Sequence, residues 1–435
     1  MAVRYRRPTG TLDVLPEDQP YWAYVRTVAQ SLAERMGFER IDLPIFEFTP
    51  VFARTAAGEG TDMRKEMYTF TDRDGSELTL RPEFTAGVVR AYLENGLHQR
   101  PQPVKLYSFG PVFRHERPQK GRYRQHTQFN AEIIGTQDPL ADLEIMLLAW
   151  TLYDELGFRG LSFQLNSTGC PRCKPAYIAR LVDYLEARYE RLNAVDRERL
   201  ARNPLRVLDS KEPGMDEVLA EAPHIVDFLC EECADHFATL RGYLDALGKP
   251  YTINFRLVRG LDYYTKTVFE VWAEGIGAQA AVCGGGRYDG LAEALGGPPT
   301  PGVGFASGLE RIILTMKVQG IEPPPLPRPA VFIAHLGAKA RPAALRLAEA
   351  LRRREIGTWL AFGERSLKSQ LREANKRGVA YTIILGEDEI ATGRATVRRM
   401  ADGEQQSVPL EELPRWLSVR LHPSESLLQP LPSPP

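Results

Sequence analysis

Apolar residues recur every three to four positions from about Tyr21 to Met36, and Gly37 follows, so the spacing predicts a helix closed by a glycine. A strand is expected over 39–43, stopped by Pro44. A second is expected over 77–81, where Pro82 breaks an alternating run. The positions Val88, Val89, Tyr92 and Leu93 predict a helix closing at Asn95-Gly96. Two more strand patterns, 104–114 and 128–134, flank a polar loop from Arg117 to Arg124. Beyond Gly169 the chain turns charged and mostly helical, with a helix expected over 225–240, and 169–250 reads as an insertion. Strand and glycine-rich patterns resume at 252, including an alternating run over 267–272.

The prolines from Pro323 to Pro329 form a stiff linker and the clearest boundary in the chain. The divisions expected are 1–168 with 251–322 as one domain, 169–250 inserted in it, the linker 323–329, and an α/β domain over 330–420. Strands are expected there at 331–334, 359–361 and 381–385, with a helix carrying Ala344, Leu347, Ala348 and Leu351. The Pro- and Ser-rich tail 421–435 is expected to be disordered.

Polar positions sharpen this picture. On a strand, Gln128, Asn130 and Glu132 share one face, while Phe129, Ala131 and Ile133 share the other. Arg114 and Glu116 share a face on a second strand, and a third ends at Arg81-Pro82-Glu83, so three strands are expected to bring charge to one cleft floor. Carboxylates at Glu83 and Glu132 suit an ammonium or an imidazole N–H, and the guanidinium forks of Arg114 and Arg259 suit phosphate or carboxylate. The run from Arg259 through Asp262 to Tyr263 and Tyr264 adds a cation, a carboxylate and two phenols within six residues. Glycines at 284–286 and 302–308 fail the dinucleotide fingerprint, and no GxxxxGK[ST] loop exists, so a nucleotide would be held by side chains and sheet edges. These glycines read either as turns or as close backbone packing around a flat ligand. Arg311, near a helix start, could meet a phosphate, although an isolated helical arginine is more commonly solvated.

Composition adds limits. Lys+Arg 55 against Asp+Glu 56 give a net charge of −1, so a nucleic-acid partner needs a local patch, and the loop 117–124 with four cations and Tyr123 offers one. No apolar run is long enough to cross a bilayer and no signal-like core follows the basic N-terminus, so no membrane role and a cytoplasmic location are expected. Four of the five cysteines form two CxxC pairs, Cys170/Cys173 and Cys230/Cys233. They supply either a structural zinc site or reduced thiols used in packing.

With these residues in view, the chain resembles the histidyl-tRNA synthetases, class II enzymes, over nearly its whole length. The segments 259–265 and 283–290 are similar to that family's two histidine-specific motifs. Segment 113–125 is similar to its motif 2, 302–311 to its motif 3, and the surroundings of Pro44 to the dimer-forming motif 1. The resemblance implies an α+β fold: a mostly antiparallel sheet flanked by helices, a mostly helical insertion, and an α/β anticodon-binding domain. It implies a homodimer that activates L-histidine with ATP and magnesium and passes it to tRNA(His). It places Glu83, Thr85 and Gln128 at the histidine amino end, and Glu132, Tyr263 and Tyr264 at the imidazole. Arg114 would bridge the histidine carboxylate and the α-phosphate, with Glu116 beside the ATP. Arg259 would act at the α-phosphate, Arg311 at the γ-phosphate, and Gln119 and Arg124 at the tRNA acceptor end. Phe84 stands where the family commonly has glycine and is expected to crowd the amino-acid end. His126 stands where an aromatic residue is expected to stack on adenine.

Overall fold

A computed structural model of the chain describes residues 5–53, 65–117, 121–259, 263–275 and 281–421. Gln119, the segment 260–262 and the tail 422–435 lie outside the described residues. The chain divides into two compact units, Met1–Pro324 and Pro325–Pro435.

In the first unit the strands run in chain order as β1 (Glu39–Arg40), β2 (Phe46–Phe48), β3 (Tyr68–Thr71), β4 (Glu77–Leu80), β5 (Val104–Phe113), β6 (Gln125–Ile134), β7 (Ser162–Ser167), β8 (Tyr251–Ile253), β9 (Thr265–Trp272), β10 (Ala281–Arg287) and β11 (Gly302–Gly308). Eight of them form one sheet ordered β1-β5-β6-β11-β10-β9-β7-β8, antiparallel throughout its centre. One face packs on the helices Gln19–Arg35, Pro139–Glu155 and Leu309–Gln319 through Val25, Ala29, Leu148, Leu152, Ile312 and Met316. Helix Pro139–Glu155 is buried nearly all round, which explains why its sequence is apolar on every side. Asp138 caps it by accepting the Leu140 amide proton.

Three sequence expectations are corrected here. The strand over 77–81 is β4, which pairs with β2 and β3 in a separate three-stranded sheet, so the cleft floor rests on fewer strands than expected. Arg81 points away from any cleft: its guanidinium donates to the carbonyls of Pro111, Leu43 and Pro44 and staples the turn after β1. The helix expected over 225–240 is broken. A single turn at Ile225–Phe228 ends, Leu229 and Cys230 are extended, and a new helix runs Glu231–Ala246. The break puts Cys230 at a helix start instead of mid-helix.

The helical segment between β7 and β8 has its own core of Tyr177, Leu181, Leu185, Leu200, Val207 and Leu219. In the second unit the strands continue as β12 (Val331–His335), β13 (Thr358–Leu360), β14 (Tyr381–Leu385), β15 (Arg394–Arg399) and β16 (Gln405–Pro409). Their order is β13-β12-β14-β15-β16, with the first three parallel and the last two antiparallel. Strands β15 and β16 and the helix Leu367–Arg377 were not anticipated, because β15 is rich in arginine. Its Ala395 and Val397 nonetheless alternate into the core.

A wholly buried ion pair helps to tie the large sheet to its helical layer. Arg287, at the end of β10, is wholly buried and pairs with the equally buried Asp142 of helix Pro139–Glu155. It also donates to the carbonyl oxygens of Thr136 and Asp138, and His236 approaches Asp142 at 3.3 Å. Burial alone would raise the Asp142 carboxyl, but Arg287 and His236 more than offset it and hold it below the usual range. Arg287→Met leaves Asp142 without its main partner, and the expected loss in urea unfolding is about 3–5 kcal/mol. Arg287→Met combined with Asp142→Leu should recover part of that loss; a double variant no better than the single one contradicts the pairing.

Candidate active site

The polar floor begins at the centre of β6. Glu132 is fully buried and pairs in register with Leu106 of β5 and Gly304 of β11. Its Oε1 accepts from the Thr85 hydroxyl at 2.6 Å and the Asn130 amide at 2.9 Å, and its Oε2 accepts from the Tyr288 phenol at 2.6 Å. The carboxyl group fits because residue 304 has no side chain: a β-carbon there would overlap Glu132 Oε2. Burial pushes its pKa up to about 7, against the pull of those three donors.

Glu83 enters from the turn after β4 and not from a strand. It accepts the backbone amides of Thr85 at 2.5 Å and Ala86 at 2.9 Å, capping helix Thr85–Glu94. Burial raises this carboxyl too, although the two amides and nearby Arg114 pull the other way. Thr85 therefore links the two carboxylates, its amide on Glu83 and its hydroxyl on Glu132. Gln128, two strand residues from Asn130, has a buried Oε1 with no partner among the described residues, and so has the Nε of Arg259.

The phenols close one side. Tyr263 lies 4.9 Å from Tyr264 and 6.0 Å from Tyr288 between ring centroids. Burial raises all three hydroxyls, so they stay protonated as donors. Tyr264 neighbours Arg259, whose guanidinium donates to Glu270 of β9 at 2.8 Å. Glu270 also accepts from Trp272 Nε1. The glycine runs lie in β10 and β11, so they are strand residues and not turns. A β-carbon at 284 would overlap the Arg259 guanidinium, and one at 286 would press on the Tyr264 ring. The bare backbone is what lets both side chains lie flat on the sheet.

Arg114 and Glu116 sit just beyond β5, which ends at Phe113, so they do not share a strand face as expected. Arg114 donates from Nε to the Pro82 carbonyl, and its amide pairs with the Arg124 carbonyl. Glu116 lies 3.9 Å from Arg114 and 3.5 Å from Arg122, and its carbonyl accepts from Arg124. Arg311 starts the helix after β11, donates to the Ala281 carbonyl and feels both Arg122 and Glu270. One connected patch therefore runs from Glu83 and Glu132 through the tyrosines to Arg259, Arg114 and Arg311. Gln119 is outside the described residues, and the four CxxC sulfurs gather separately, behind the segment that carries Tyr264.

The two departures from the family pattern have definite surroundings. Phe84 is buried in the core with Val88, Tyr92 and Leu106, under the Arg81 guanidinium, so its ring packs inward where crowding of the amino-acid end was expected. His126 borders a cavity of about 140 Å³ with Trp22, Arg26, Thr127 and Glu310, and its Nε2 lies 3.4 Å from the Gln128 amide. Burial and nearby Arg114 push its imidazole pKa down to about 3, so the ring is neutral. Sequence reasoning missed Tyr288 and Glu270 as site members. Both lie inside runs noted above, but only strand pairing reveals what they face.

The histidyl-tRNA synthetase family model matches residues 10–312, and an anticodon-binding domain model matches residues 330–420. A histidine–tRNA ligase of Dehalococcoides mccartyi is 50% identical over 410 residues, covering 94% of this chain and 98% of that protein. A histidine–tRNA ligase of Pelotomaculum thermopropionicum is 48% identical over 416 residues, covering 95% and 98%. Among solved structures, the apo histidyl-tRNA synthetase of S. aureus aligns with a TM-score of 0.79 at 36% identity, over 95% of this chain and 99% of that one.

The raised pKa of Glu132 has a definite sign. A carboxyl group whose folded pKa of about 7 exceeds the ordinary 4.5 contributes stability below the unfolded value, and that contribution fades as pH rises through the folded value. Between about pH 4.5 and 7 the ligand-free protein should therefore lose stability that Glu132→Gln does not lose, on the order of 3 kcal/mol. Paired urea titrations across that window test this, and parallel curves for the two proteins contradict it.

Proposed function

The chain belongs to the histidyl-tRNA synthetase family, and from that premise we propose how its cleft performs the family reaction. The activity is ATP-dependent: L-histidine is joined to AMP as histidyl-adenylate, with release of pyrophosphate, and then moved to the 3′ end of tRNA(His), with release of AMP. Histidine carries its ammonium and carboxylate on one carbon and its imidazole at the far end of the side chain. The observation that carries the assignment of residues is a floor with a partner for each of the three: the buried acceptors Glu83, Gln128 and Glu132, with the Arg114 guanidinium near Glu83 and that of Arg259 near Tyr264.

In this reading Glu83 and the unpartnered Gln128 Oε1 receive the histidine ammonium, with Thr85 fixing Glu83. Glu132 receives an imidazole N–H, while Tyr263, Tyr264 and Tyr288 surround the ring. A non-histidine side chain would leave the buried Glu132 without its polar match, and that mismatch gives specificity. Arg114 holds the histidine carboxylate against the α-phosphate. One carboxylate oxygen attacks the α-phosphorus in line, the bond to the bridging oxygen of pyrophosphate breaks, and the electron pair leaves with pyrophosphate. Arg259 neutralises the charge that grows on the α-phosphate oxygens, and Arg311 meets the γ-phosphate at the helix start. The neutral His126 ring offers adenine a weaker stacking partner than a larger aromatic.

Magnesium comes with ATP as its counterion. Glu116 and Glu270, each partly exposed beside an arginine, are the carboxylates that would meet it. The bound ion would screen the β- and γ-phosphates. Arg122 and Arg124 form the cationic edge offered to the tRNA acceptor end, where Gln119 of the same loop is also assigned, and the domain after the linker would read the anticodon. The exposed Phe46, Phe48 and Phe70 on one face of the β2-β4-β3 sheet fit a second copy of the chain, as motif 1 implies. No helix among the described residues is long and apolar enough to cross a membrane; the cytoplasm is the location proposed.

Arg259→Ala should slow adenylate formation about 10²–10³-fold in single-turnover pyrophosphate release. Its thermal midpoint should stay unchanged, because the guanidinium serves the transition state and not the core. A fall in midpoint with unchanged chemistry would assign Arg259 to structure. Phe48→Glu should shift the sedimentation profile toward monomer, and a profile unchanged at micromolar concentration contradicts the proposed dimer face.

A further inference from the structure

Neither the family reaction nor its substrates make use of the four cysteines of the two CxxC pairs. Cys170 and Cys173 follow directly on β7, and Cys230 and Cys233 open the helix Glu231–Ala246. All four sulfurs lie within 4.8 Å of one another, with Cys170 to Cys173 at 3.6 Å and Cys170 to Cys230 at 3.8 Å. Four thiolates about 2.3 Å from one zinc ion stand about 3.8 Å apart along a tetrahedron's edges. A disulfide would hold two sulfurs at about 2.05 Å, and the cysteines are free thiols. Clusters of several irons need a wider cage.

The sulfurs pack together beside Leu229, and the backbone around them also turns hydrogen-bond donors toward them. The Cys230 amide donates to Cys173 Sγ at 3.1 Å, and the amides of Arg172 and Cys173 point at Cys170. Gly169 takes φ +63°, and a β-carbon there would press on Cys173, so the turn into the first pair requires glycine. One cation touches the cluster: Arg172 contacts Cys170 and also pairs with Glu232, a carboxylate it shares with the buried Lys266 ammonium.

The cluster also reaches the histidine end of the cleft. Lys266 has the left-handed φ of +47°, a conformation a lysine holds only when its neighbours fix it. The fixing groups come from the first cysteine knuckle: Gly169 O accepts the Lys266 amide at 2.8 Å, and the Thr168 amide donates to Lys266 O at 2.7 Å. Thr168 Oγ1 and Lys174 Nζ both donate to the carbonyl of Tyr264.

We propose that Cys170, Cys173, Cys230 and Cys233 bind one zinc ion as a tetrathiolate, and that this ion pins the inserted helical segment to the backbone that positions Tyr264. Each thiol releases its proton on binding. The metal takes no part in the reaction; the four cysteines are positioning residues, and that second half of the proposal rests on Tyr264 lining the histidine pocket.

The first test needs no variant. Full-length protein purified without chelator should contain about one zinc per chain, with a first shell of four sulfurs at about 2.3 Å in X-ray absorption. Its cobalt-substituted form should show thiolate-to-cobalt charge-transfer bands. Absence of metal with titratable thiols, a Cys170–Cys173 disulfide, or iron in place of zinc each overturns the metal assignment, whatever the substrate. The second test is the pair Cys230→Ser/Cys233→Ser. It should lose zinc and raise the KM for histidine about tenfold while the KM for ATP changes less than twofold. Loss of zinc with both KM values unchanged overturns the positioning role and leaves the metal site standing. If the variant fails to fold, wild-type protein stripped of metal by a mercurial and freed of the reagent should show the same KM split, and reloading with zinc should reverse it; a histidine KM that does not respond to removal and return of zinc overturns the positioning role.

Discussion

A carboxyl group wholly removed from water sits at the centre of this molecule, and much of the first unit is arranged around it. Glu132 survives burial because a threonine, an asparagine and a tyrosine donate to it, and because Gly304 leaves room for it. An isolated carboxylate in such a place would be several kcal/mol less favourable than in water. Each donor fixes something in turn. Thr85 fixes the start of a helix and with it Glu83, and Tyr288 fixes the end of β10. Next to Tyr288, Arg287 locks the sheet to its helical layer through Asp142. The floor is therefore tied by hydrogen bonds before any substrate arrives, which is the condition that the proposed reading of an imidazole by polar match requires.

The charge pattern explains why a near-neutral chain can handle anionic partners. The net charge of −1 hides a local concentration of charge, with the buried carboxyl groups of Glu83 and Glu132 beside a group of arginines, Arg114, Arg122, Arg259 and Arg311. Three of those arginines are seen paired, Arg114 loosely and Arg122 more closely with Glu116, and Arg259 with Glu270. Such pairs hold a guanidinium in place, and in the proposed reading an arriving phosphate joins an existing network instead of ordering loose side chains.

Much of this was legible in the sequence, and the failures have physical causes. The period-two alternation from Gln128 to Ile133 was readable because both faces of β6 carry an obligation, polar toward the cleft and apolar toward the helices. The pattern of β12 and β14 was readable for the same kind of local reason. Long-range pairing was not: nothing local says that β4 leaves the main sheet, that Arg81 staples a distant turn, or that Asp142 awaits Arg287. The cleft roles of Tyr288 and Glu270 depended on such pairing too. Phe84 illustrates a different failure, since its backbone holds the expected position while its ring turns into the core. The helix break before Cys230 was hidden by apolar spacing that continues across it, and there the cysteine geometry overrides the periodicity.

The most direct measurement is ATP–pyrophosphate exchange by the purified full chain, run with each of the twenty amino acids in turn. If the buried Glu132 floor reads an imidazole, exchange will depend on L-histidine alone and will fall to background for every other amino acid, glutamine and asparagine included. Exchange supported equally well by a side chain that cannot donate to Glu132 would contradict that role for the floor.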